Sequence, residues 1–210
     1  PHFIYSYLFQ TPFYTDFFSS HSLLSRSLYY WKSGHFPLWS PLMHGGMPMA
    51  YEQSMTGVLS PVYWLLYARF PTAYSGDSFA LFLHFKLFVL GFGGVFAFIF
   101  FKKISGSSWG AFLGALTFML NLRMLDNFRY ASPLDVLCYL PLLFLLLEKM
   151  IESSNLFYGI FYSLSLGVML LSGQLQHGVF NLMILGSYFF AKIFWITRPG
   201  SARKALSLVL

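Results

Sequence analysis

The chain of 210 residues is 57% hydrophobic and 10% charged, with a mean hydropathy of +0.61, whereas an ordinary soluble domain is about a quarter charged. That composition excludes a water-soluble fold and points to a polytopic membrane protein. The net charge of +6 comes from scattered basic residues rather than a basic face, which excludes nucleic acid as a partner and leaves membrane orientation as the explanation.

The 26 Phe, 14 Tyr and 5 Trp suit lipid-facing surfaces and headgroup anchoring. Cys138 is the only cysteine, so neither an intramolecular disulfide nor a cysteine-based zinc site is available. The sequence begins at Pro1 and stops at Leu208-Val209-Leu210 as a new apolar stretch opens, which reads as an excerpt of a longer protein. Phe3 to Phe9 reads as the tail of a preceding span.

In chain order, residues 1–78 form the end of that span and a long first outer loop, and residues 79–210 form a transmembrane bundle. Within the loop, Leu24, Leu28 and Trp31 recur at i, i+4 and i+7, one face of a helix. With Arg26 and Lys32 beside them, residues 22–33 read as an interfacial helix. Pro37, Pro41, Gly45, Gly46, Pro48, Gly57 and Pro61 then punctuate the chain too often for a continuous helix. A span needs about 17 to 25 apolar residues, and about five are predicted, at 79–101, 109–122, 133–147, 156–171 and 179–196. Gly110, Ala111, Gly114 and Ala115 supply small residues for close helix approach.

Basic residues in short loops mark the cytoplasmic side. Lys102, Lys103, Lys149, Lys192, Arg198, Arg203 and Lys204 fall there, so alternation puts residues 1–78, 121–132 and 172–178 outside. Arg123 and Arg129 break the rule, and two arginines at an outer surface suggest a binding task.

Asp16 is the only acid before Glu52. Just outside the membrane it suits a general base toward an acceptor hydroxyl or a ligand for a divalent cation, and it equally suits an N-cap for the following segment. His35, His44, Glu52 and Gln53 share a loop with Trp39 and Tyr51, a mixture suited to sugar binding, in which rings cover a pyranose face and polar groups bond its hydroxyls. The bland alternative is polar residues satisfying loop backbone. The histidines lack tight metal-ligand spacing.

Arg123, Asp126 and Arg129 recur every third residue and share one side of a helical turn. They suit a salt-bridge ladder or, with planar arginine donors, a phosphate at the membrane surface. His84 and Lys86 interrupt the first complete span, where charge is expensive and marks function, although Lys86 can also snorkel to the interface. Gln174, Gln176 and His177 occupy the last outer turn.

The order of an acidic first outer loop, Pro-Leu-Trp-Ser-Pro at 37–41, Gly-Gly-Met-Pro at 45–48, Ala-Tyr-Glu-Gln at 50–53 and Ser-Pro at 60–61 resembles bacterial YfhO-like membrane proteins. Ser40 stands where that family usually has Asn, Tyr51-Glu52 replaces Asn-Pro before the retained Gln53, and Gly173-Gln174-Leu175-Gln176 echoes a later outer turn with Leu175 for Pro. The resemblance implies an all-α, multi-span bundle of the GT-C glycosyltransferase class in the bacterial cytoplasmic membrane, with residues 1–78 extracytoplasmic. It implies a polyprenyl-phosphate-linked sugar as donor and an envelope polymer, lipid or protein as acceptor.

In that reading Asp16 matches the catalytic acid, and Trp39, His44, Glu52, Gln53, Gln174, Gln176 and His177 shape the sugar pocket. Lys86, Arg123 and Arg129 would stabilise the departing phosphate by their charge, a role that rests on chemistry rather than on a family motif. A divalent metal, Mg or Mn, is compatible with Asp16 and Asp126. The rival readings are a transporter or flippase of a lipid-linked or amphipathic solute and a non-catalytic assembly subunit.

Overall fold

The computed structural model describes residues 30, 33–34, 39–40, 46–48, 59–63, 76–127, 133–153 and 155–196. The expected sites Asp16, His44, Glu52, Gln53 and Arg129, and most of the proposed interfacial helix at 22–33, lie outside the described residues.

The described architecture is helical, apart from one two-residue antiparallel pairing of β1 (Trp39–Ser40) with β2 (Met47–Pro48). Seven helices follow: α1 (Gly76–Ser105), α2 (Ser108–Leu120), α3 (Leu122–Asn127), α4 (Pro133–Cys138), α5 (Leu140–Ser153), α6 (Leu156–Leu171) and α7 (Leu175–Ile196). The first β-strand lies within the Pro-Leu-Trp-Ser-Pro motif and the second within Gly-Gly-Met-Pro. Backbone pairing sets Trp39 opposite Pro48 and Ser40 opposite Met47.

Local chemistry sets several helix ends. α1 stops where Gly106 takes φ of +68° and donates its N–H to the Lys102 carbonyl at 3.0 Å, a left-handed cap that a side chain resists. Lys102 and Lys103 sit in that last turn, where cations complement the helix dipole. Ser107 caps α2 by accepting from Gly110 N. Asn121 serves two helices, its Nδ2 donating to the Phe118 carbonyl and its Oδ1 accepting from Met124 N at 2.9 Å. Asn155 caps α6 by accepting from Phe157 N at 2.9 Å.

The expected span 133–147 is two helices, divided at Tyr139. Pro141 has no N–H to give the carbonyl four residues back, so the ladder breaks there. Within the described residues, Phe82–Ser105 and Leu175–Phe194 are long and apolar enough to cross a membrane. α2 and α6 are apolar but shorter, at 13 and 16 residues. α3 was not expected as an element of its own.

α1 packs against α2, α4 and α5, while α6 and α7 lean on α4 and α5. Glycines let α1 approach its neighbours closely. A Cβ on Gly93 would stand 3.0 Å from the Cys138 Cβ and 3.2 Å from its Cα, and one on Gly114 would stand 2.9 Å from the Phe101 ring. One apolar core joins Tyr63, Phe82, Phe85, Val89, Met124, Leu134 and Cys138. A second joins Val136, Leu143, Met169 and Leu185. Asn181 ties α7 across the second core, its Nδ2 donating to the Val136 carbonyl at 3.0 Å.

The two ends of the bundle differ in chemistry. At one end Lys103, Lys192 and Tyr188 converge on Glu148, with Lys192 Nζ at 2.9 Å, Lys103 Nζ at 3.4 Å and the Tyr188 hydroxyl at 2.7 Å. Lys103 also reaches Glu152 at 2.8 Å. At the other end the α2–α3 connection meets the start of α7.

Candidate functional site at the α3–α7 end

The α2–α3 connection and the α6–α7 turn, 54 residues apart in sequence, come together through Arg123 and His177, whose Nη2 and Nε2 are 3.0 Å apart. α3 carries Arg123 at its start and Asn127 one turn later, an i, i+4 pair that shares a face. Gly173, with φ of +112°, turns the chain out of α6. The Gln174 carbonyl then accepts from the backbone N–H groups of His177 and Gly178. That turn brings Gln174 and His177 to the N-terminal end of the 22-residue α7, the positive pole of its dipole.

A guanidinium can only donate, so His177 Nε2 is the acceptor in this contact. A neutral imidazole accepting at Nε2 carries its proton on Nδ1, which is therefore a donor. That Nδ1 is buried without a hydrogen-bond partner, as are Asn127 Nδ2 and Gln174 Oε1. His177 is 7% exposed and Asn127 3%, while Arg123 is exposed and keeps further N–H groups available. Buried polar atoms are nearly always satisfied, so these unmet atoms on α3 and at the α6–α7 junction are unusual.

Ser60 and Ser172, both buried, share a hydrogen bond at 3.3 Å. This contact attaches the 59–63 turn to the end of α6, beside the same outward turn. Below it lies a buried polar group within the apolar core. Lys86 Nζ lies 2.7 Å from Asp135 Oδ1 and donates to the Tyr63 hydroxyl at 3.1 Å. The Tyr63 hydroxyl in turn donates to Asp135 Oδ2. Lys86 is 0% exposed and Asp135 3%, and the ammonium also lies near the Phe82 ring, 5.4 Å from its centroid. An adjoining cavity of about 260 Å³ is bounded by Ser60, Phe85, Phe88, Asp135, Cys138 and Ser172.

No family model matches the chain, and neither a curated protein nor a solved structure matches it.

The expected site residues fall into distinct places. Arg123 and His177 are joined directly, and Gln174 lies in the same turn, whereas Gln176 is exposed beside them. Asp126 is half-buried on α3 and His84 is exposed on α1. Lys86 is occupied by Asp135 and Tyr63 inside the core rather than standing at the surface with Arg123. Trp39 contributes its backbone to the β pairing. Among the described residues no three His, Cys, Asp or Glu side chains gather in a group that could hold a metal ion.

Sequence reasoning passed over Asp135, Tyr63 and Asn127. Asp135 carried a readable signal, because an acid and a lysine both lying in apolar runs must find each other or another partner. Asn127 carried none, since an asparagine in a polar connection is ordinary.

Proposed function

We propose that the chain is part of a multi-pass glycosyltransferase of the GT-C type in a bacterial cytoplasmic membrane. It takes a sugar from a polyprenyl-phosphate donor and transfers it to an envelope acceptor on the extracytoplasmic face. The observation that carries this reading is the Arg123–His177 contact, which joins two connections expected on the same outer side and leaves Arg123 exposed.

Three further observations support it. Lysines from three regions expected in the cytoplasm gather near Glu148 at the opposite end: Lys103 and Lys192 pair with it, and Lys149 lies next to it in the chain. Large apolar side chains stay exposed on α1, α2, α6 and α7, including Phe88 at 66%, Leu113 at 61%, Phe157 at 67% and Phe190 at 71%. Apolar surface on that many helices suits a lipid surround better than water. The Trp39–Ser40 and Met47–Pro48 pairing folds two loop motifs onto each other, consistent with a built loop over the outer end.

In this mechanism the acceptor hydroxyl attacks the anomeric carbon as the polyprenyl phosphate leaves. Asp16 takes the acceptor proton, and Arg123, with Arg129 nearby in sequence, stabilises charge growing on the phosphate oxygens. Lys86, held by Asp135, sets the bundle beneath this site instead of touching phosphate. The test is mass spectrometry of envelope glycans from a deletion strain complemented with wild type, Asp16→Asn or Arg123→Gln at matched membrane abundance. Wild type restores a sugar that both variants fail to restore; equal restoration by all three rejects the assignment.

A further inference from the structure

We infer that the cavity between α1, the end of α4 and the 59–63 turn is a seat for one acyl chain of a bilayer phospholipid. The inference rests on the reading of α1 as a membrane span and is independent of any sugar transfer. Phe85, Phe88, Val89 and Phe92 line the cavity at i, i+3, i+4 and i+7, one stripe of α1 that runs about 10 Å along its axis. Val62 and Cys138 bound the rest of about 260 Å³. Phe85 and Val89 are buried, whereas Phe88 and its neighbour Leu87 are exposed, so the stripe passes from the cavity out onto the apolar surface of α1. The whole stripe falls within Phe82–Ser105, the stretch long and apolar enough to cross a membrane. A ligand that enters here comes from the bilayer core.

The walls select hydrocarbon over water. Each Asp135 oxygen already accepts, one from Lys86 and the other from Tyr63. Ser60 and Ser172 bond each other at 3.3 Å, and Ser172 reaches the Val168 carbonyl at 2.8 Å. A buried water needs two to four polar partners, and a dry apolar cavity of about 150 Å³ already takes a benzene ring. Leaving the space empty forfeits dispersion contacts on every wall. Choosing a scarce lipid by its headgroup takes a free cation or donor, and Lys86 is spent on Asp135 and Tyr63. Occupancy then follows concentration, and phospholipid is the solvent of a membrane helix. With the Ser60–Ser172 bond, the seated chain holds the 59–63 turn to α1 and α6.

The test uses the full chain purified in dodecyl maltoside and stripped of bulk lipid, with dioleoyl phosphatidylcholine, dioleoyl phosphatidylglycerol and farnesyl phosphate as probes. Native mass spectrometry counts retained lipid, and intact mass follows reaction of Cys138, the only cysteine, with methyl methanethiosulfonate, a small apolar reagent. Wild type retains one phospholipid whichever headgroup it carries. Either phospholipid slows the Cys138 reaction about tenfold or more, as a ligand at ten times its Kd does, and raises the thermal midpoint. Val89→Phe and Val62→Phe fill the space from two sides; the unliganded midpoint holds or rises, while lipid retention and the lipid-dependent rise are lost. Val62 is half-buried on the turn, and the Cys138 reaction is read in wild type, so neither measurement depends on repacking α1.

The inference is overturned if stripped wild type retains no phospholipid, if added phospholipid leaves Cys138 reactivity unchanged, or if both filled variants hold lipid as wild type does. It is overturned as well if farnesyl phosphate at about one-hundredth of the phospholipid concentration displaces it, which makes the occupant an isoprenoid. Release of the chain from membranes by alkaline carbonate without detergent overturns it together with the membrane reading. Lipid retention by a wild type that transfers no sugar sinks the proposed function and keeps the site.

Discussion

Removing one member of the buried Lys86–Asp135 pair should destabilise the bundle far more than removing both. Lys86 is 0% exposed and Asp135 3%, and the 2.7 Å contact lies inside the core with the Tyr63 hydroxyl bridging both. Lys86→Met leaves Asp135 with Tyr63 as its only donor among the described residues, and Asp135→Leu leaves the ammonium with the Tyr63 hydroxyl and neighbouring rings. Breaking a buried pair this way costs about 3–5 kcal/mol, whereas replacing both partners by apolar groups is close to neutral. At about 1.4 kcal/mol per decade, each single change lowers the ratio of folded to unfolded protein by roughly two to almost four powers of ten. Unfolding in mixed micelles by titration with sodium dodecyl sulfate measures all four corners of the cycle, and the double variant should recover most of the loss. Single losses below about 1 kcal/mol that simply add in the double variant would refute the reasoning, because they would mean that water or another charge reaches the pair.

Other expected outcomes follow from the packing of the bundle. Tyr63→Phe removes a hydroxyl bonded to both charges and should cost about 1.5–3 kcal/mol in the same titration, without changing the size of the folded particle. Gly114→Val drives a branched side chain into the Phe101 ring, 2.9 Å from the nearest built Cβ position, and should lose about 1–3 kcal/mol by overpacking, while the same change at the open Gly167 is milder. Glu148→Gln removes the negative charge between Lys103 and Lys192; both lysines are partly exposed, so a loss of about 1–2 kcal/mol is expected, read as a lower thermal midpoint. Cysteines placed at the exposed Ser107 and Gln176 should react with a membrane-impermeant maleimide from opposite sides of intact cells and inverted vesicles, with the buried Cys138 silent; labelling of both from one side would reject the two-ended arrangement.

The helical class was legible because long apolar runs with few charges leave little choice of element. Residues 156–171 coincide with α6, since Asn155 provides a strong cap just ahead of the run and Gly173 a stop just beyond. α1 is longer at both ends than hydropathy suggested, because helices continue to the residue that caps them, here Gly106, rather than to the last apolar side chain. The break within 133–153 was written in Pro141 but masked by the unbroken hydrophobicity around it.

Site chemistry was legible one residue at a time. Arg123 was recognisable as a charge out of place, whereas His177 and Gln174 are ordinary residues of an outer turn that only the family resemblance singled out, and the tertiary contact that fixes the histidine tautomer spans 54 residues and leaves no local pattern. Lys86 illustrates the converse. Its charge in an apolar run announced a role, but its partner depends on α4 crossing α1, and that crossing turned an expected surface donor into a buried structural pair.

The most direct measurement of the central claim is donor turnover by the purified native protein in liposomes containing a radiolabelled polyprenyl-phosphate sugar and envelope lipid and polymer acceptors. The account predicts that wild type releases free polyprenyl phosphate and moves label to an acceptor, and that Asp16→Asn and Arg123→Gln do so at least a hundredfold more slowly, about the lower bound for losing a general base or a charge-stabilising donor. Intact donor that merely crosses the bilayer, at equal rates in all three proteins, would contradict it and establish transport instead.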